Sequence, residues 1–292
     1  MNKPVIGFIG LGVMGEPMCR NVKVRGGYRV LAFDRDPAPL ERLAAHGVEA
    51  AGTAGALVRG SDIVLASLPS GRVLDDLAHA ADGLLENIRA GQTFADLGTS
   101  PVALTRQLAA QFTERGARYL DAPVARTRQA AEAGTLSVMV GGDPATFEAV
   151  RPVLACMAEE ITHCGGLGSG QVTKILNNMV LFQTVAALSE AYAIACRSGV
   201  DPGLLFDTLM KGSADSFALR NHGAKAIIPQ HFPLRAFSVE YAKKDLAYAL
   251  ELAHDAGVDV QGARRVDQLF DAAIAQGLGD QYFPVVSRIV DG

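Results

Sequence analysis

The sequence predicts an α/β fold: a doubly wound domain over residues 1–165, joined by one long helix to an all-helical domain over residues 166–292. Three observations carry this. An unbroken apolar run, Val5 to Ile9, opens directly into Gly10-Leu11-Gly12-Val13-Met14-Gly15. Short apolar strands then alternate with amphipathic helices as far as Cys164. Finally, residues 171–198 contain neither Gly nor Pro and are rich in Ala, Leu and Val, which amounts to roughly 40 Å of helix.

Val5 to Ile9 reads as a parallel strand covered on both faces. The glycines after it allow a tight turn, close approach of the backbone to a phosphate, and close packing of the next helix, Glu16 to Arg25. Tyr28 to Phe33 forms a second strand and ends in Asp34, 19 positions after Gly15. Strand, glycine motif, helix, strand and acid in this order form a Rossmann dinucleotide-binding fingerprint. The pyrophosphate sits at the helix N-terminus and the acid meets the ribose 2′-hydroxyl. Gly10, Leu11, Gly12, Val13, Met14 and Gly15 are therefore assigned to the cofactor together with Asp34, which favours NAD. Arg35 beside it suits a 2′-phosphate, which keeps NADP open.

The alternation continues through a helix from Pro37 to His46, a short strand from Val48 to Ala50, and an apolar strand from Asp62 to Leu68. Leu68-Pro69-Ser70 lies at the carboxyl edge of that strand, where open α/β sheets bind ligands. A helix from Arg72 to about Leu85 leads to a strand from Thr93 to Asp96. Then come Leu97-Gly98-Thr99-Ser100-Pro101 and a helix to Arg115 with Pro101 in its first turn. Arg118 to Leu120 and Thr135 to Val140 are strands, Gly141-Gly142-Asp143-Pro144 starts a helix, and Ile161 to Cys164 closes the sheet. Beyond the long helix, which is expected to be buried on several sides, helices are predicted over Pro202 to Met210, Asn221 to Ala226, Val239 to Ala256 and Gly262 to Gln276.

Composition narrows the function. A net charge of −4 gives no basic field for nucleic acid, and 49% hydrophobic residues are ample for a core. The four cysteines lack metal-type spacing and read as buried thiols in a reducing compartment. The six histidines are scattered, so no metal site is expected. With neither a signal peptide nor a convincing membrane span, a cytoplasmic location is expected. A long apolar helix next to a small helical domain suggests a homodimer or homotetramer.

On the long helix Lys174 and Asn178 are four residues apart and share a face. The helix alone leaves Lys174 equally open to a site role and to a solvated surface position.

Five motifs in order make the chain resemble the β-hydroxyacid dehydrogenase family, related to 3-hydroxyisobutyrate dehydrogenase. They are the Gly7–Met18 stretch, Asp121-Ala122-Pro123-Val124, Gly134-Thr135-Leu136, Gly168-Ser169-Gly170 through Lys174 to Asn177-Asn178, and Lys244-Asp245-Leu246. The resemblance spans essentially the whole chain. It implies NAD(P)-linked interconversion of a small anionic 3-hydroxy acid and its semialdehyde. It also implies Lys174 as general acid/base, Asn178 on the substrate, Lys244 beside the cofactor and substrate, and Thr99 near the nicotinamide.

The chain departs from the family in two places. Where the family writes Ser-Gly-Gly after Asp-Ala-Pro-Val, this chain has Ala125-Arg126-Thr127, similar to the run of the sulfolactaldehyde reductase branch. An arginine fork there matches a sulfonate, phosphonate, phosphate or carboxylate. The bland alternative is a solvent-facing Arg126 paired with Glu132 or a neighbour. The loop at Gly98-Thr99-Ser100-Pro101 is one residue short of the family form. Rival readings are an ordinary carboxylate substrate such as 3-hydroxyisobutyrate or tartronate semialdehyde, an imine reductase, and a non-catalytic cofactor-binding interaction protein. Lys174 argues against the last two.

Overall fold

The computed structural model describes residues 3–291 and divides into two units, one up to Lys174 and the other from Ile175 onward. In the first unit a parallel sheet is built from β1 (Ile6–Ile9), β2 (Val30–Phe33), β3 (Glu49–Ala50), β4 (Ile63–Ala66), β5 (Thr93–Asp96) and β6 (Arg118–Asp121). Its spatial order is β3-β2-β1-β4-β5-β6, so the order reverses beside β1, where Ile6 is in register with both Val30 and Ile63. Beyond β6 lie β7 (Val124–Ala125), β8 (Leu136–Gly141), antiparallel to β6 and β7, and β9 (Ala158–Gly165), parallel to β8.

Alternation along the strands assigns the two faces. Phe8, Leu65 and Ala95 share one core with Met18 and Val22 of α1 (Gly15–Gly26), while Ile9, Val64 and Phe94 share the other with Leu57, Leu74, Leu108 and Phe112. That second face is covered by α3 (Ala54–Arg59), α4 (Gly71–His79), α5 (Leu84–Asn87) and α6 (Val102–Glu114); α2 (Pro37–Ala44) follows β2. Further on come α7 (Arg128–Ala133) and α8 (Pro144–Leu154).

Several local expectations need correction. The helix expected from Arg72 to Leu85 is two helices, because Asp82 adopts φ +54° and turns the chain between α4 and α5. Pro101 caps α6 from outside its first turn. The short elements α3, β7 and α7 leave too few residues for a periodic signal.

α9 (Ser169–Arg197) crosses the division between the units. By length and composition alone it is the one helix among the described residues that could cross a membrane. Its burial covers more than one side but is incomplete: Gln171, Lys174, Ile175, Asn178, Phe182, Val185 and Ser189 form a buried stripe and Leu188 and Ala195 are buried beside it, while Val180 and Ile194 are 58% and 65% exposed. Its last turn also leaves Cys196 exposed, and Cys164 is half-buried, so only Cys19 and Cys156 are the buried thiols expected of all four.

The second unit contains α10 (Pro202–Leu209), α11 (Val239–Asp255), α12 (Gln261–Ala275) and α13 (Val286–Asp291), together with an aromatic cluster. Phe182 stands 5.2–5.7 Å from Phe237, Phe270 and Phe283, centroid to centroid. Residues Leu219–Ile227 are π-helical rather than a regular helix, and two isolated bridges, Leu234 to Gln281 and Ser238 to Tyr282, interrupt the helical pattern.

Candidate active site

The glycine loop has the shape its sequence requires. Gly10 adopts φ +86°, and a Cβ on Gly15 would run into the Gly10 carbonyl oxygen. A Cβ on Gly12, by contrast, would meet nothing within 4 Å. No side chain caps the first turn of α1, where the Glu16 amide donates to the Gly12 carbonyl at 3.1 Å, and the positive end of the helix dipole at this terminus favours an anion. Asp34 Oδ2 accepts from the Leu11 amide at 2.5 Å and Oδ1 from the Asp36 amide at 2.9 Å, which fixes the carboxylate beside the loop. Arg35, Gly12 and Val13 are exposed, Leu11 is buried and Met14 is half-buried.

The loops after β4 and β5 adjoin this cradle. The Leu68 side chain lies 3.1 Å from where a Gly10 Cβ would stand, and a Cβ on Gly98 would approach the Leu68 carbonyl to 2.9 Å. Pro69 is exposed and Thr99 buried. The loop residues assigned to a dinucleotide in this unit are therefore gathered at the carboxyl ends of four neighbouring strands, β2, β1, β4 and β5, and they fit such a group: an open glycine, a helix start with no side-chain cap and a fixed carboxylate.

The first turn of α9 is bolted to the ends of β5 and β6 by a polar cluster that sequence reasoning missed. Asp121, fully buried, accepts from the amides of Gly168 and Gln171, each at 2.8 Å. Burial pushes its carboxyl above the usual range, and these amides pull against that shift. The Gln171 side chain accepts from the Ser100 amide at 3.0 Å and donates to the Gly98 carbonyl at 2.9 Å and to Asp96 Oδ2 at 3.3 Å. Ser100 Oγ donates to the same Asp96 oxygen at 2.7 Å. Lys174, one turn beyond Gln171 on the same face, is only 8% exposed, so it is no solvated surface lysine. The available signal was the i, i+3 spacing of Gln171 and Lys174.

The Ala125-Arg126-Thr127 run is also locally committed. Ala125 is buried and paired with Ser137. Thr127 Oγ1 caps α7 by accepting from the Ala130 amide. Arg126 Nη1 donates to the Thr135 carbonyl at 2.6 Å and to Glu159 Oε2 at 3.0 Å, while Glu132 pairs with Arg128 instead.

In the second unit Asp245, buried on α11, joins two residues far apart in sequence. Its Oδ2 accepts from Asn178 Nδ2 at 2.7 Å and its Oδ1 pairs with Lys244 Nζ at 2.9 Å. The Lys244 ammonium also stands 4.1 Å from the Tyr241 ring centroid and 5.3 Å from that of Tyr248. Lys243 is turned to Asp267 and Asp271 of α12, so the two lysines do not form a common exposed face. Among the described residues no group of three His, Cys, Asp or Glu side chains could hold a metal ion.

A family model described as the NAD binding domain of 6-phosphogluconate dehydrogenase matches residues 5–166, and one described as NAD-binding of NADP-dependent 3-hydroxyisobutyrate dehydrogenase matches residues 168–289. The chain is 33% identical to 2-(hydroxymethyl)glutarate dehydrogenase of Eubacterium barkeri over 97% of its length and 94% of that protein's. It is 34% identical to 2-hydroxy-3-oxopropionate reductase of Escherichia coli (strain K12), covering 93% and 92%. Among solved structures, Mycobacterium tuberculosis 3-hydroxyisobutyrate dehydrogenase with L-serine superposes with a TM-score of 0.89, at 32% identity over 100% of both chains.

Proposed function

The chain belongs to the β-hydroxyacid dehydrogenase family, NAD(P)-dependent oxidoreductases acting on hydroxyl groups; from that premise we propose that it interconverts a small anionic 3-hydroxy acid, carboxylate or sulfonate, and its semialdehyde, with Lys174 moving the proton. The nicotinamide, when bound, supplies hydride chemistry; the residues of the chain bind, orient and manage one proton. Asp34 selects NAD, since a carboxylate accepts from a ribose hydroxyl and repels a 2′-phosphate. Asn178, held by Asp245, positions the substrate, and Arg126 with Thr127 meets its anion. Lys174 gives a proton to the carbonyl oxygen in reduction and takes it from the hydroxyl in oxidation.

The observation that supports this most is the burial of Lys174 one turn after a helix start fixed by Asp121 and Gln171. A lysine held out of bulk water on a fixed helix turn can exchange its proton with a positioned substrate rather than with solvent. Lys174→Ala is expected to lower kcat by about 10²–10⁴-fold while NAD affinity, measured by calorimetry, stays near wild type. Turnover like that of the wild type rules the assignment out. A scan with NAD and NADP over 3-hydroxypropionate, 2,3-dihydroxypropanesulfonate and a cyclic imine separates the readings. Turnover of the imine alone overturns the hydroxy-acid reading, and no turnover at all favours a non-catalytic cofactor binder.

A further inference from the structure

We propose that Arg126 is a pre-aimed anion fork and that Glu159 is the positioning residue that aims it; the inference rests on the reading that Arg126 meets the substrate anion. Arg126 holds φ +85°, a left-handed conformation that few residues other than glycine adopt. The backbone has little room to relax out of it. Ala125 before it is locked into the β7–β8 ladder, and Thr127 after it caps α7. A side chain kept where glycine would be strain-free calls for a use of that side chain.

The guanidinium shows which use. Nη1 alone is engaged, by the Thr135 carbonyl and by Glu159. The Nε–Nη2 edge makes no hydrogen bond to the described residues, and that edge is one of the two that grip a carboxylate or sulfonate through paired N–H donors. Two acceptors on one nitrogen fix the plane of the fork while leaving this edge open. Glu159 is 61% exposed, so its pair with Arg126 is of the weak surface kind. Its effect is to orient rather than to bind, and orientation lost on one side costs little more than such a pair supplies.

The test uses the intact enzyme with NAD, and with 3-hydroxypropionate and 2,3-dihydroxypropanesulfonate as probes. Arg126→Gly is expected to leave Tm unchanged or raised, because glycine relieves the φ +85° backbone, and to raise KM for the anionic probe about tenfold or more. Glu159→Ala is expected to raise the same KM about two- to fivefold, with kcat moving less than KM. Glu159→Gln, which keeps an acceptor for Nη1, restores it, and in the Arg126→Gly background the Glu159 variants change nothing. If Arg126→Gly leaves KM unaltered, the anion role of Arg126 itself fails. If Arg126→Gly raises KM but Glu159→Ala does not, only the positioning role fails. A lower KM in Glu159→Ala would make Glu159 a competitor for the fork and overturn the proposal.

Discussion

Replacing Asp245 by Asn separates positioning from chemistry in the second unit. The carboxylate has two oxygens and both are used, one by Asn178 Nδ2 and one by Lys244 Nζ. An amide of the same shape offers one acceptor, so its NH2 must face either the Asn178 donor or the Lys244 ammonium. Breaking a fully buried ion pair costs about 3–5 kcal/mol. The Lys244 side chain is 22% exposed and rests on Tyr241 and Tyr248, so its charge keeps other stabilisation. Discounting for that, and weakening the Asn178 contact from a charge-assisted to a neutral bond, leaves about 2–3 kcal/mol. Urea denaturation should therefore show a lower midpoint with an unchanged slope. If Asn178 positions the substrate, kcat should also fall about 10–100-fold, the cost of a misplacement near 1 Å, and warming well below the new Tm should not restore it. A variant destabilised by this amount that turns over at the wild-type rate would refute the claim that Asp245 works through Asn178.

Two glycines of the phosphate loop should behave in opposite ways. Gly12→Ala meets no atom within 4 Å, so it should fold with wild-type Tm yet lose NAD affinity in calorimetry, because the new methyl enters the space the pyrophosphate needs. Gly15→Ala collides with the Gly10 carbonyl and should lower Tm as well. In the second unit His222 is buried, and desolvation followed by the nearby Lys225 charge lowers its pKa to about 4. The unfolded state then binds the extra proton more readily, so stability from this group is present above about pH 6.5 and is lost as pH falls towards 4, by about 3 kcal/mol in all. His222→Gln should flatten the acid limb of a Tm-against-pH profile between pH 6.5 and 4; an unaltered limb would assign the acid sensitivity elsewhere.

What the sequence made legible follows from which signals are local. The glycine motif, Asp34 and the strands through Asp96 are encoded by neighbours in sequence, and the structure has them within a residue or two except where strand ends fray into loops. The long helix was equally plain, but its exposure was not, since Val180 and Ile194 are as apolar as the buried Phe182 and Val185. The Asp96–Ser100–Gln171 and Asp121–Gly168–Gln171 contacts join positions 47–75 residues apart, and nothing in residue type or spacing marks a glutamine as the hub of such a cluster. Arg126 illustrates the remaining gap. The sequence shows that it stands where the related pattern has glycine, but only the backbone angle shows that the glycine-like conformation was retained.

These long-range contacts also bear on which group handles the proton. The buried carboxylates of the chain are natural candidates for acid–base work, yet each is already occupied. Asp96 accepts from the Gly98 amide through one oxygen and from Ser100 and Gln171 through the other. Asp121 accepts two backbone amides. Asp245 is divided between Asn178 and Lys244. A carboxylate whose oxygens are taken by hydrogen bonds or an ion pair cannot swing to a substrate without abandoning the loop or helix it fixes, and each hydrogen bond released would leave a buried N–H group unpaired at about 1–3 kcal/mol. Asp121 and Asp245 instead hold α9 at Gln171 and at Asn178, on either side of Lys174. On that reasoning the carboxylates supply rigidity, which supports the proposal that Lys174, between them, moves the proton.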